Sequence, residues 1–332
     1  MKKLLFLLTF PVLCFGQYTD IPDINFEKAL IDLGHDDTID GKVKTANINS
    51  VDSLDLKSKN ILDLKGIEAF SSLKYLDCGE VISMEKHNND LKTLDLSKNT
   101  SLEYLNCNYN QIKSLNVSGC TGLKFLSCYD NKLSSLDLNK NTDLHVLFCG
   151  SNKITNLDLS KNTALHSLLC GNNKLTTLDL SNNTALDNLG CNNNKLTNLD
   201  LSNNTALDTL VLYNNKLKTL DLTKNTALIL LFCGNNKLTG LLDLSDYYTS
   251  LRILNCGNNK LTDLYVNGCK GLEGVYCDDN KKLTRLIANG CNSLTHLSSF
   301  NTKLTTLNLS GCDSLMEVIC NDNFFIGLKS RY

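Results

Sequence analysis

Residues 175–195 read LTTLDLSNNTALDNLGCNNNK, and one pattern occurs in them twice. Leu175, Leu178, Leu180 and Asn183 spell LxxLxLxxN; Leu186, Leu189, Cys191 and Asn194 spell LxxLxCxxN. The 21-residue unit is thus two half-repeats, and versions of it run from about Leu91 to Cys320. In an extended LxL segment alternate side chains share a face, so the leucines point inward and each turn buries about six apolar groups. At roughly 1.5–3 kcal/mol apiece, this does not offset the ordering of a whole turn, which costs about 1–2 kcal/mol per backbone residue. One turn cannot fold alone, and the repeats must stack.

The pattern resembles the leucine-rich repeat family over roughly residues 48–320, in a short bacterial form with a repeat nested inside a repeat. Val51 to Leu73, VDSLDLKSKNILDLKGIEAFSSL, is longer and resembles the internalin-like leucine-rich repeat. There Val51, Leu54 and Leu56 make the strand, and Ile61, Leu64, Ile67 and Phe70 pack the return segment. The resemblance implies a repeat solenoid of two parallel β-sheets with short or no helices. It also implies protein binding and no catalysis.

The formal net charge of the 332 residues is -2 and the pI about 6.2, which lacks the basic footprint of a nucleic-acid module. Residues 1–16, MKKLLFLLTFPVLCFG, place Lys2 and Lys3 before a short apolar run and a small residue. That is the pattern of a secretory signal peptide cleaved after Gly16. The run is too short to span a bilayer. Acylation of Cys14 is the alternative, but Val12 and Leu13 suit it poorly. No other segment is long and apolar enough to span, so a secreted or cell-surface location without a membrane span is expected.

The cysteines follow the period. Cys107, Cys128, Cys149, Cys170 and Cys191 are 21 apart, in a column that Leu212 and Ser299 share. A place open to Cys and Leu alike is a small apolar one. Cys120, Cys269, Cys291 and Cys312 take a second column, where Asn99, Asn162 and Asn183 stand in other turns. Strands about 4.8 Å apart bring thiols within bridging reach, yet in-register side chains run parallel, a poor disulfide geometry. Ordered free thiols are the main expectation and bridges between turns the alternative. Single-file apolar columns offer no metal site, and no cofactor is expected.

Residues 17–50 are not repeats. Ile24, Phe26, Ala29, Leu30 and Leu33 have helical spacing, which predicts a small N-terminal cap ended by Gly34. Asp36, Thr38, Asp40 and Gly41 resemble the opening of a calcium loop, but its closing acid is missing at Asn47. A turn rich in Asp and Gly is the plainer reading. Residues 79–90 are an insertion expected to project as a lateral loop. Added residues between Leu241 and Ser250, and at Lys281–Lys282, should bulge outward. Residues 321–332 form a tail without a polar capping repeat, in which Phe324, Phe325 and Ile326 fold over the last turn. The expected division is thus leader 1–16, cap 17–50, solenoid 51–320 and tail 321–332.

The third and fifth positions of each strand face outward. On the first half-repeats the fifth position is an acidic column that includes Asp137, Asp158, Asp179, Asp200 and Asp221. It is either a solvated face that discourages aggregation, aided by Lys132, Lys153 and Lys174, or a site for a cation or basic partner. On the second half-repeats the outward positions are apolar: Tyr104, Phe125, Phe148, Leu169, Val211, Phe232 and Tyr276. Connected apolar strips tend to be interaction sites, and aromatics favour interface centres. The competing reading is a strip covered by corner segments.

Catalysis finds little footing. His145 and His166 recur at one position of adjacent turns, with no carboxylate or thiol ligand apparent beside them. No G-x-S-x-G, H-E-x-x-H, P-loop or Rossmann fingerprint is present. The expectation is an exported, non-enzymatic repeat protein that binds a protein partner through an extended sheet face. The alternative is a structural or adhesive protein that takes glycan or cation on the Asp column, or self-associates through an uncapped end.

Overall fold

The structure, a computed structural model, describes residues 17–80, 89–245, 250–325 and 327–329. The expected leader, Ile326, most of the 79–90 insertion and the middle of the 241–250 bulge lie outside the described residues.

The described residues open with a strand, Tyr18–Asp20, paired antiparallel to Lys42–Lys44. Between them runs α1, Ile24–Asp32; α2, Thr45–Ile48, follows. Asp23 caps α1 with one carboxylate oxygen, which accepts from the amides of Asn25 (2.8 Å) and Phe26 (3.0 Å). Its other oxygen accepts from Leu62 (2.7 Å) and Asp63 (3.0 Å). One side chain therefore starts the helix and ties it to the first solenoid turn. Phe26 and Phe70 meet at 6.2 Å between ring centres, closing the end of the core. Gly34 ends the helix in the left-handed region, φ 79°.

From Ser53 onward the chain is a parallel solenoid with almost no helix. The second half-repeats, joined to the strands Ser53–Asp55 and Tyr75–Asp77, build one uninterrupted 13-stranded sheet ending at Glu317–Ile319. Register is one-to-one throughout; Leu147, Leu168, Leu189, Leu210 and Leu231 stack in file. The first half-repeats behave differently. They ladder as a pair, Thr93–Asp95 with Ser114–Asn116, and as a five-stranded sheet starting at Thr239–Asp243. The five turns between contribute no strand on that flank.

The fifth position differs between the laddered and unladdered turns; Asp55 and Asp77 do pair in register in the sheet, with Lys57 bridging their carboxylates at 2.9 and 3.6 Å. An in-register parallel ladder would set identical residues side by side, and adjacent carboxylates repel. Asp137, Asp158, Asp179, Asp200 and Asp221 fall in the unladdered turns, with Asp243 next in file. Where pairing resumes, Asp243 faces Tyr265, Tyr265 faces Ile287 and Ile287 faces Asn308. Leu157 and Leu178 on the open flank keep 5% and 8% exposure, against 0% for Leu147 and Leu168 under the sheet. The register shifts between Gly240 and Leu241, at the start of the bulge expected between Leu241 and Ser250.

Asparagine seals the corners. Asn194 donates to the carbonyls of Cys170, Cys191 and Asn192 and accepts from the Leu175 amide at 2.9 Å. The same set recurs at Asn152, Asn173 and Asn236. The first-half column is poorer. Asn162 donates to Leu138 and Asn141 carbonyls, but its buried Oδ1 has no partner, as at Asn141, Asn183, Asn204 and Asn225. Cysteine suits that column for this reason. Cys120, Cys269, Cys291 and Cys312 each donate the thiol to one carbonyl and bury no orphan amide oxygen.

Candidate functional site

The 13-stranded sheet presents the apolar strip. Tyr104, Phe125, Phe148, Leu169, Val211, Phe232 and Tyr276 lie on its outward face, in strands joined by intermediate turns. All are half-buried. They shield one another. Tyr75, Tyr104 and Phe125 stack at 4.4 Å between ring centres, 12° and 5° from parallel. That spacing is close to the strand separation itself, so each ring sits flat on the next and offers solvent only its edge. Phe148 breaks the stack, meeting Phe125 edge-on at 5.7 Å and 79°.

Beyond that break the face is hollowed. A concavity of about 270 Å³ is lined by Tyr129, Phe148, Leu169, Asn192 and the glycines 150, 171 and 190, among others. The glycines make it. A Cβ on Gly171 would fall 2.6 Å from the Asn192 side-chain oxygen, and one on Gly190 2.8 Å from a Leu169 methyl. Tyr109 and Tyr129 meet edge-to-face at 5.5 Å along its rim. Neither tyrosine was among the residues the alternation singled out, because they lie past the strand; the signal was the small residue after each buried cysteine, as in CGSN and CGNN.

The next residue along that edge takes positive φ at Tyr109, Asp130, Ser151, Asn172, Asn193, Asn214, Asn235, Asn258 and Asp279. Asn and Asp tolerate that conformation best among non-glycine residues, which accounts for the repeated Asn doublets. On the opposite edge cross-turn contacts alternate in character. Lys124 pairs with Glu103 at 2.7 Å and Arg252 with Glu273 at 3.7 Å. His145 and His166 stack at 5.8 Å. His166 is not without a carboxylate: Asp187, one turn on, lies 3.8 Å from its Nδ1.

The Asp column occupies the open flank. Each carboxylate closes a local turn, Asp158 accepting from the Ser160 amide (3.0 Å), Asp179 from Ser181 (2.9 Å), Asp200 from Ser202 (2.9 Å). Asp137 and Asp221 do the same. These amides hold the carboxyls of Asp158, Asp179, Asp200 and Asp221 below the usual range, and the neighbouring carboxylates oppose this at Asp179 and Asp200. Asn116 and Asn308 make the same bond, so the position requires an acceptor rather than a charge. The cations that lower Asp158 and Asp221 are Lys161 and Lys224, not the Lys132 series.

In the cap loop, the buried carboxylate of Glu27 accepts from the amides of Asp40 (2.9 Å), Gly41 (2.6 Å) and Lys42 (3.2 Å). That carboxylate organises the turn. No group of three or more His, Cys, Asp or Glu able to hold a metal occurs among the described residues. Their cysteines are all unbridged, and all but Cys320 are buried. Burial pushes the Cys128, Cys170 and Cys233 thiols up to about 12. No helix among the described residues is long and apolar enough to cross a membrane.

Comparisons with known proteins place this geometry. The family described as leucine rich repeats (2 copies) matches residues 100–141. A solved structure described as the functional domain of InlJ from Listeria monocytogenes, which includes a cysteine ladder, is 31% identical, with a TM-score of 0.75. The match covers 94% of this chain and 73% of that one. The internalin InlF of Listeria monocytogenes is 20% identical with a TM-score of 0.66, over 95% of this chain and 100% of that one. A leucine-rich repeat protein of Leptospira interrogans is 22% identical with a TM-score of 0.58, over 79% and 76%. At those two identities the likeness is one of fold. No curated protein matches.

Proposed function

Because the chain belongs to the leucine-rich repeat family, we propose that it is an exported, non-enzymatic binding protein that takes a protein partner on its 13-stranded sheet. One observation carries this reading: the apolar strip lies on the only uninterrupted sheet among the described residues, in rigid file, bounded by polar margins. Preordered side chains lose little rotamer freedom on binding, and half-buried aromatics suit the centre of an interface. The stacked rings offer edges, whereas a sugar ring stacks on aromatic faces, so the strip suits polypeptide better than glycan. The opposite flank spends its carboxylates on turns. Export rests on residues 1–16, whose basic start, apolar run and small final residue have the pattern of a leader.

The test is photo-crosslinking of the protein at the cell surface and in culture medium, with the reactive residue at Leu169 on the sheet or at Thr177 on the open flank. Discrete protein adducts from position 169 and none from 177 are expected. Adducts from 177 alone would move the site to the Asp column. Light scattering of residues 17–332, with and without calcium, then separates an outside partner from self-association.

A further inference from the structure

One file of charge bonds nothing within the molecule. Lys153, Lys174, Lys195, Lys216 and Lys237 recur every 21 residues, and Lys260 follows 23 on, after the added residues. Each stands directly after a buried corner asparagine, where the chain leaves the 13-stranded sheet for the next first half-repeat. Each backbone amide is tied to the turn before: Lys174 donates to the Ile154 carbonyl at 2.9 Å, Lys195 to Leu175 at 2.8 Å and Lys216 to Leu196 at 2.8 Å. The six lysines are thus held in register, one per turn, over five steps of about 4.8 Å, or about 24 Å.

Their side chains are all exposed and make no ion pair or hydrogen bond among the described residues. Cations elsewhere on the solenoid are engaged. Lys124 pairs with Glu103 and Arg252 with Glu273 across turns, and Lys161 and Lys224 act on Asp158 and Asp221. The six corners read SNKIT at 151–155, NNKLT at 172–176 and 193–197, NNKLK at 214–218, and NNKLT at 235–239 and 258–262. They offer amides and hydroxyls beside each lysine and contain no acid. The next corner at either end does contain one, Asp130 or Asp279, so the acid-free file has a defined length. Like charges in file repel one another, and a partner that lays one anion at each step relieves this.

We propose that this file binds a linear acidic polysaccharide with a carboxylate on each sugar, lying along the solenoid axis from Lys153 to Lys260. The file is one residue wide, and the Asp column begins five residues on, at Asp158 after Lys153 and Asp179 after Lys174. A broad anionic body such as a bilayer or a nucleic-acid duplex would meet those carboxylates as well; a single narrow chain does not. An extended acidic polypeptide returns a side chain to one side only every 6.4–6.8 Å or so, out of step with turns about 4.8 Å apart, whereas a 1→4-linked sugar advances by about one strand spacing. Single-stranded nucleic acid asks for successive rings on which bases stack; here Asn172, Asn193, Thr176 and Thr197 supply partners for sugar hydroxyls instead. Recognition is by charge and hydroxyl groups rather than by ring stacking, so the site is separate from the apolar strip and stands whatever that strip takes.

The experiment titrates residues 17–332 with oligogalacturonates of increasing length in a calorimeter. Affinity should climb with length to about six sugars, the span of the file, and then level off. It should fall at least about tenfold between about 0.05 and 0.5 M salt, and the fully methyl-esterified oligomers should not bind. Lys174→Gln, Lys195→Gln and Lys216→Gln together should weaken binding by about tenfold or more, while Arg at the same three positions should retain it. Lys140→Gln, Lys161→Gln and Lys224→Gln make the same change in net charge on the open flank and should leave affinity within about twofold. Circular dichroism should be unchanged in all three variants. Equal losses from the two glutamine triples would reduce the effect to net charge and overturn the proposal. Tighter binding of polyglutamate, oligothymidylate or phosphatidylglycerol vesicles at equal charge overturns it too, as does no binding of the oligogalacturonates.

Discussion

The two flanks of each turn are built from one motif and end as different surfaces. On the sheet flank the strands pair without a gap, the corner Asn satisfies every bond it can make, and apolar groups face outward. On the other flank five turns do not pair, the Asn oxygens are orphaned and the outward residues are carboxylates. The inward leucines hardly differ. What differs is the residue stacked on its own copy one turn away, because a solenoid multiplies each choice along a file. A file of rings or leucines attracts itself; a file of carboxylates with no bridging cation repels itself.

The comparison is most exposed to failure in thiol chemistry. A thiol held near 12, as at Cys128 and Cys170, has about a thousandfold less thiolate at pH 8 than a free cysteine. In an alkylation time course read by mass spectrometry, half-exposed Cys320 should react first. Cys120 and Cys269 on the looser flank should follow through local opening, and the sheet-side cysteines only on global unfolding. Sheet-side labelling at the same rate as Cys120 would mean the two flanks open together. Next in size are the corners. Asn173→Ala strips two or three carbonyls and the Ile154 amide of their partner, and should cost about 3 kcal/mol in urea denaturation. Asn162→Cys copies what Cys120 already does and should cost under about 1 kcal/mol; equal losses would erase the distinction between the columns.

The double change Phe148→Ser with Phe232→Ser should leave the fold intact and abolish adducts from position 169. The smallest effect is expected from Asp158→Asn, Asp179→Asn and Asp200→Asn together. Asn keeps the turn bond, so stability at pH 7 should move within about 0.5 kcal/mol. The depressed carboxyls contribute stability above the ordinary Asp value near 4 that is lost as pH falls through their own lower values. The triple variant should therefore lose less stability than the wild type below about pH 4. Amide exchange over residues 156–200 should also slow, as the flank is freed to pair.

Much of this was legible in the chain. The period fixed which leucines are inward, and the cap helix, its glycine stop and the apolar strip could all be placed from spacing. The broken second flank could not be, because an LxL segment reads the same whether or not its neighbour pairs. Nor could spacing tell that Asp158 serves its own turn, or that Glu27 accepts from the amides of residues 40–42. Asp187 beside His166 escaped because the two are 21 residues apart in sequence and adjacent in space.

Each corner asparagine also gives the stack a direction. Asn194 bonds Leu175 at the start of its own repeat and Cys170 in the repeat before it, so the corner of a turn is finished only when its successor arrives. Courses can be laid onto an existing N-terminal edge, each new one mortaring the last, whereas a turn begun ahead of its predecessor finds nothing to seal. A chain that emerges N-terminus first from any narrow passage can thus set as it comes out, and what has set is not undone by what is still to come.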